Sequence, residues 1–296
     1  MRIATFQFQG RRRVGRLTDD GQGLECFDIG PEGERLGALA VVERLGRGGK
    51  LSPVGQVIPL QETSLEAPLP LPRRNIFCVG KNYHEHAHEF ARSGFDSSAA
   101  AGAVPQAPII FSKVPECVTG PGSPIQIDPR ASEAVDYEAE LAVVIARGGR
   151  RIPRERALEH VFGYTIVNDV TARDLQGRHK QWLIGKSQDS FCPMGPWLVS
   201  ADEIDLADTP VRCWVNGELR QDANTRDLIF DVPSLIETLS RGLTLLPGDI
   251  IATGTPAGVG IGFDPPRYLQ PGDTVRIEIG GIGTLENPVA LRREAA

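Results

Sequence analysis

Hydrophobic and polar residues alternate from the second position onward. Ile3, Thr5 and Gln7 face one side of an extended chain and Ala4, Phe6 and Phe8 the other. A turn at Gly10 leads into Val14-Gly15-Arg16-Leu17, so the pattern predicts a hairpin, with a second short strand pair around Leu24 to Ile29. From Leu36 to Leu45 the apolar spacing becomes helical, and Pro68 to Pro72 reads as an extended linker. The chain is therefore expected to divide into a small N-terminal β-rich domain, residues 1–67, and a larger domain, residues 68–296. In the larger part, Asn75 to Gly80 predicts a buried strand and Tyr83 to Arg92 a polar helix stopped by Gly94. A flexible loop is expected from Asp96 to Pro108. The run Tyr137 to Ala146 and the strand Val161 to Val170 flank a short helix, Pro153 to His160. Further strands are expected at 196–200, 211–216, 250–253, 274–279 and 284–288, with one more helix at Leu228 to Leu239.

Composition sharpens this picture at three points. With 33 Gly and 23 Pro in 296 residues, the chain is turn-rich, which favours a mainly β fold with some α over a helical bundle. Its 38 acidic residues outnumber 32 Lys and Arg, and a net charge of −6 gives no basic field for a phosphate backbone, so no nucleic-acid partner is expected. The five cysteines are scattered without a CxxC pair, which fits a reducing compartment, and no apolar run is long enough for a membrane span. A cytoplasmic location is the expectation.

Five segments carry candidate chemistry. In Asp136-Tyr137-Glu138-Ala139-Glu140-Leu141, the acids at alternate positions share one face of an extended strand that continues into a buried Val-Val-Ile run. Such a cluster is either a solvated edge or a site for a hard cation, because carboxylates this close repel one another unless neutralised. Asp169, Arg173 and Gln176 stand at i, i+4 and i+7. A helix opening at Asp169 would aim them to one side, with Asp169 as its cap. His86 and Glu89, at i and i+3, pair an imidazole with a carboxylate, as a general base requires. His84, Glu85 and His88 match the H-E-x-x-H spacing, but not on the apolar helix that a zinc site of this kind uses, so no zinc is expected. Lys186 sits in an otherwise apolar run, and the glycine-rich Thr253 to Gly260 could cradle an anion or simply turn the chain.

Six segments in order resemble the fumarylacetoacetate hydrolase superfamily: Cys78 to Tyr83 with His86 and Glu89, Asp136 to Glu140, Asn168 to Gln176, Gly185 to Ser187, Pro247 to Pro256, and Gly281 to Pro288. The resemblance implies a rolled mixed β-sheet, usually dimeric, with one Mg²⁺ or Mn²⁺, or Ca²⁺, held by Glu138, Glu140 and Asp169. Asp136 has no ligand role in that pattern. Larger members of the superfamily place a fourth acidic ligand near the position held here by Gly80, Lys81 and Asn82. The implied substrates are small 2-oxo acids. His86 and Glu89 would activate water, Lys186 would complete the catalytic set, and Arg173, Gln176, Tyr83 and Thr255 would contact substrate. On that basis the leading expectation is a hydrolase cleaving a carbon–carbon bond of an acylpyruvate such as fumarylpyruvate. Oxaloacetate decarboxylation, 2-hydroxydienedioate isomerisation and a non-catalytic acid-binding relative are the alternatives on the same site.

Overall fold

The structure, a computed structural model, describes residues 1–92 and 104–292. The segment 96–103 of the expected loop and its proposed helix stop at Gly94 lie outside the described residues. Among the described residues a twelve-stranded sheet forms the backbone of the molecule, accompanied by a five-stranded sheet and a two-stranded one. The fold is mainly β with mixed strand directions, as the turn-rich composition implies.

The two central strands of the large sheet, Ala139–Ile145 and Val161–Asn168, are buried along their whole length. Strands covered on both faces read as unbroken apolar runs, which is why this region lacks polar alternation. Period-two geometry still divides their side chains. Leu141, Val143 and Ile145 join one core with residues of the five-stranded sheet such as Val211, Cys213 and Ile277. Ala142 and Val144 face the other way, toward Leu39, Val41 and Val42 of the helix Ala38–Gly46. Each fully buried Val or Leu contributes about 1.5–3 kcal/mol, so these two layers hold the centre of the sheet rigid.

The first strand, Arg2–Phe8, forms the expected hairpin with Arg11–Leu17 and also pairs with Cys192–Ser200, so residues 1–67 extend the same sheet that carries the central strands. On the other side, Ile250–Ala252 runs parallel to Ile76–Gly80, which pairs with Ile109–Lys113. All five cysteines are buried and free.

Three local expectations are corrected. Asp136, Glu138 and Glu140 do not share one strand face, because the chain breaks between a two-residue strand, Val135–Asp136, and the strand that begins at Ala139. Asp169 is not a helix cap: Thr171–Ala172 pairs with Val135–Asp136 and postpones the helix to Arg173–His179. The later helix runs Val232–Gly242 rather than 228–239, because Asp231 accepts a cap bond from Ser234 N and Pro233 occupies the first turn. The freed Ile229 and Phe230 instead donate backbone bonds to Asn82.

Candidate metal centre and active-site cleft

Strand register assembles the acidic cluster. Ala139 lies opposite Asn168, and Asp169 N donates to Glu138 O at 2.9 Å, so residues far apart in the chain meet at one end of the central strand pair. Asn168 Oδ1 accepts from Glu138 N and Gln221 Oε1 accepts from Ala139 N, which fixes the backbone at the strand break. The result is three buried carboxylates, Glu138, Glu140 and Asp169, whose oxygens lie within 4.8 Å of one another.

Charge pairing explains how so many acids stay buried. Lys186 Nζ bridges Glu138 Oε2 at 2.8 Å and Asp169 Oδ2 at 2.7 Å. Lys113 Nζ donates to Asp169 Oδ1 at 2.7 Å and to the carbonyls of Val170 and Lys186. Arg173 Nη1 pairs with Glu138 Oε1 at 2.7 Å, and its Nε with Asp136 Oδ2 at 2.9 Å. Burial would raise the Glu138 carboxyl, but Lys186 and Arg173 outweigh it and bring the group down to about 2. Glu140 receives less help: burial together with Asp169 and Glu138 outweighs Lys186 and the donated backbone N–H of Gly254, and pushes its carboxyl well above the usual range. Within the ion pairs described, four buried carboxylates meet Lys113, Arg173 and Lys186, and Glu140 is the one without a direct cation bond among them. An all-oxygen donor set short of positive charge is what a hard divalent cation requires, so these residues fit Mg²⁺ or Mn²⁺.

The glycine-rich loop from Thr253 therefore does cradle an anion, the protein's own Glu140. Asp136 stands behind the cluster, accepting from Gly260 N at 2.7 Å and Ile261 N at 3.0 Å while holding Arg173. A cleft opens in front, lined by His86, Glu138, Glu140, Arg173, Gln176, Lys186 and Thr255, with Lys81, Phe90, Phe111 and Trp182 completing the wall.

The helix His84–Arg92 brings His86 into the cleft and leaves His84 and His88 exposed, so the three histidines do not converge. His86 Nδ1 meets Glu89 Oε2 at 3.0 Å, and Glu89 Oε1 accepts from Gly258 N at 2.9 Å. Gly262 makes room for this carboxylate, since a Cβ there would lie 2.0 Å from Glu89 Oε1. Gln176 Oε1 accepts from Arg173 Nη1 at 3.3 Å, and Thr255 Oγ1 accepts from Gln221 Nε2 at 2.8 Å. Arg173 Nη2 is buried without a hydrogen-bond partner. Tyr83, also with an unpartnered hydroxyl, lines a neighbouring cavity with Asp222, Arg226 and Asp227 instead of this cleft.

Lys113, Gln221, Asn82 and Asn168 were not legible as site residues. Only Lys113 carried a usable signal, a cation closing the apolar strand Ile109–Lys113, the same oddity that singled out Lys186.

The mainly β fold thus carries an oxygen-only acidic triad that could hold a metal ion, beside a His–Glu pair. The family model described as "Fumarylacetoacetate (FAA) hydrolase C-terminal" matches residues 75–290, and the chain belongs to this family. It is similar to the oxaloacetate tautomerase YisK of Bacillus subtilis, with 52% identity over 98% of this chain and 100% of that one. The mitochondrial oxaloacetate tautomerase fahd2 of Xenopus laevis is 44% identical over 79% of this chain and 70% of its own length. Among solved structures, a fumarylacetoacetate hydrolase from Exiguobacterium antarcticum superposes with a TM-score of 0.83 at 43% identity, covering 99% of this chain and 100% of that chain. A 5-carboxymethyl-2-hydroxymuconate delta-isomerase from Mycobacterium smegmatis does so with 0.79 at 36%, with the same coverage.

Proposed function

We propose that the protein is a divalent-metal-dependent isomerase that interconverts the enol and keto forms of a 2-oxo dicarboxylic acid of the oxaloacetate type. The observation that carries this reading is the pairing, in one cleft, of an acidic triad with a His–Glu dyad and a buried Arg173 Nη2 that lacks a partner. The names of the relatives favour proton transfer over the carbon–carbon hydrolysis that His86 and Glu89 first suggest.

Ketonisation moves one proton: the enol oxygen loses it and the adjacent carbon gains one. Glu138, Glu140 and Asp169 would hold Mg²⁺ or Mn²⁺, which when bound supplies Lewis-acid polarisation of the 2-oxo group. Arg173 Nη2 offers a charge-assisted hydrogen bond to the neighbouring carboxylate, and Lys186 places positive charge beside the oxygen whose proton departs. His86 Nδ1 is engaged by Glu89, so Nε2 is the nitrogen available to carry a proton to or from carbon. Glu89 stabilises the imidazolium that forms, and general acid–base catalysis of this kind contributes about 10²- to 10⁴-fold. Phe90, Phe111 and Trp182 keep the cleft wall apolar, which limits competing water.

The test follows the ultraviolet absorbance of freshly dissolved enol-oxaloacetate with Mg²⁺. The wild-type protein should speed its decay, and His86→Ala should not. Carbon dioxide release and acylpyruvate cleavage are measured in parallel. Pyruvate formed from an acylpyruvate, without acceleration of ketonisation, would return the hydrolase reading to first place.

A further inference from the structure

We infer that Gln221 is a positioning residue: it fixes the direction of the Thr255 hydroxyl, so that Thr255 meets the substrate as a hydrogen-bond donor and not as an acceptor. This rests on the proposed reaction class and names the device that would orient a 2-oxo acid anion in the same cleft.

Gln221 lies on the strand Glu218–Asn224 of the five-stranded sheet and is 1% exposed. A buried amide must satisfy both of its ends, and here the partners leave one orientation. Ala139 N is a donor only, so the atom 3.0 Å from it is the oxygen, Oε1. Pro256 O is an acceptor only, so the atom 2.8 Å from it is the nitrogen, Nε2. Turning the amide over would set donor against donor and acceptor against acceptor. The second N–H of Nε2 therefore ends on Thr255 Oγ1, at 2.8 Å. The bonds to Ala139 N and Pro256 O suffice to join the two sheets, whereas this third bond reaches a side chain that lines the cleft.

That bond decides what Thr255 can offer. A threonine hydroxyl has one proton and two lone pairs. One lone pair is committed to Gln221, and Oγ1 makes no other hydrogen bond among the described residues, so its proton is left for the cleft. The loop that carries it is held in place. Thr253 N and Oγ1 both donate to Leu141 O, at 3.0 and 2.9 Å, and Gly254 N donates to Glu140 Oε2 at 2.8 Å. The last of these bonds puts Thr255 beside one of the clustered carboxylates. A lone pair turned toward the cleft there would repel an incoming acid anion, whereas an O–H attracts it.

The experiment is a double-mutant cycle on oxaloacetate binding, measured by calorimetry at saturating Mg²⁺, with thermal unfolding as the check on each variant's fold. Thr255→Val removes the hydroxyl at nearly constant shape. It should weaken binding about 10- to 100-fold, the range of one charge-assisted hydrogen bond, while Thr255→Ser should keep most of the affinity. Gln221→Glu replaces the N–H donor by a carboxylate oxygen, which captures the Thr255 proton. It should weaken binding by a similar factor, and in that background Thr255→Val should cost less than about threefold. A mere charge effect or a loosened loop would leave the full cost of Thr255→Val in place, and that additive result overturns the inference. If Gln221→Glu does not fold, Gln221→Met takes its place. With the hydroxyl no longer aimed, Thr255→Val should again cost less than in the wild-type background, and an equal cost overturns the inference. Wild-type affinity in Thr255→Val overturns it too, and leaves the reaction class standing. A wild-type protein that binds oxaloacetate without speeding its ketonisation would remove the proposed reaction but not the direction of the Thr255 hydroxyl. One that does not bind oxaloacetate at all would remove both.

Discussion

Gly262→Ala separates the His86–Glu89 dyad from the metal-ligand cluster with one methyl group. The new Cβ would lie 2.0 Å from Glu89 Oε1, so one partner must retreat by about 1.4 Å to reach ordinary contact at 3.4 Å. The turn carrying Gly262 is the stiffer partner, because Asp136 holds it through Gly260 N and Ile261 N. Glu89 is the end of a flexible side chain, so the carboxylate moves. Its bonds to His86, at 3.0 Å, and to Gly258 N, at 2.9 Å, then stretch beyond hydrogen-bonding range. A hydrogen bond to a charged group is worth about 1.5–3 kcal/mol, so ketonisation should slow by about 10- to 100-fold. Mn²⁺ affinity should be unchanged, because none of the three ligands touches Gly262. Stopped-flow ultraviolet kinetics and a calorimetric Mn²⁺ titration give both readouts. A variant with the wild-type rate would refute the role given to Glu89, and a parallel loss of Mn²⁺ binding would show that dyad and cluster are not separable.

Glu138→Gln should abolish Mn²⁺ binding measured by calorimetry, and an unchanged affinity would contradict the ligand assignment. In the metal-free protein Glu140 has a folded value above its unfolded 4.5, so it favours the fold most below that pH, and the contribution is lost as pH rises through the folded value. Divalent metal should therefore release a proton, and the Mg²⁺-induced rise in Tm should grow from pH 5 to 8; a pH-independent rise would refute the linkage. Asp136→Asn leaves a buried guanidinium short of its partner and should cost about 3–5 kcal/mol in denaturant unfolding, with a shift below 1 kcal/mol counting against the pairing.

Where local pattern and tertiary environment agree, the chain was readable. The N-terminal hairpin follows from alternation alone, and the order of the six motifs marks Glu138, Glu140 and Asp169 before any geometry is known. The misreadings have one physical source. A cap at Asp169 and a continuous acidic strand are both good local structures, but the pairing of Val135–Asp136 with Thr171–Ala172 outcompetes them. That pairing joins residues far apart in the chain and has no signature in either segment. Lys113 was missed for a related reason: its function depends on Asp169, a neighbour that only the folded sheet supplies.

The triad of carboxylates sits on and immediately beside the ends of one pair of buried strands, whereas His86 comes from the helix His84–Arg92. Substitutions in the strands would disturb the sheet and the ion-paired cluster together. Substitutions in the helix alter what the cleft receives while leaving that foundation in place. Relatives named as tautomerases, isomerases and hydrolases fit such a modular arrangement, and a library confined to that helix should yield changed selectivity without loss of folding.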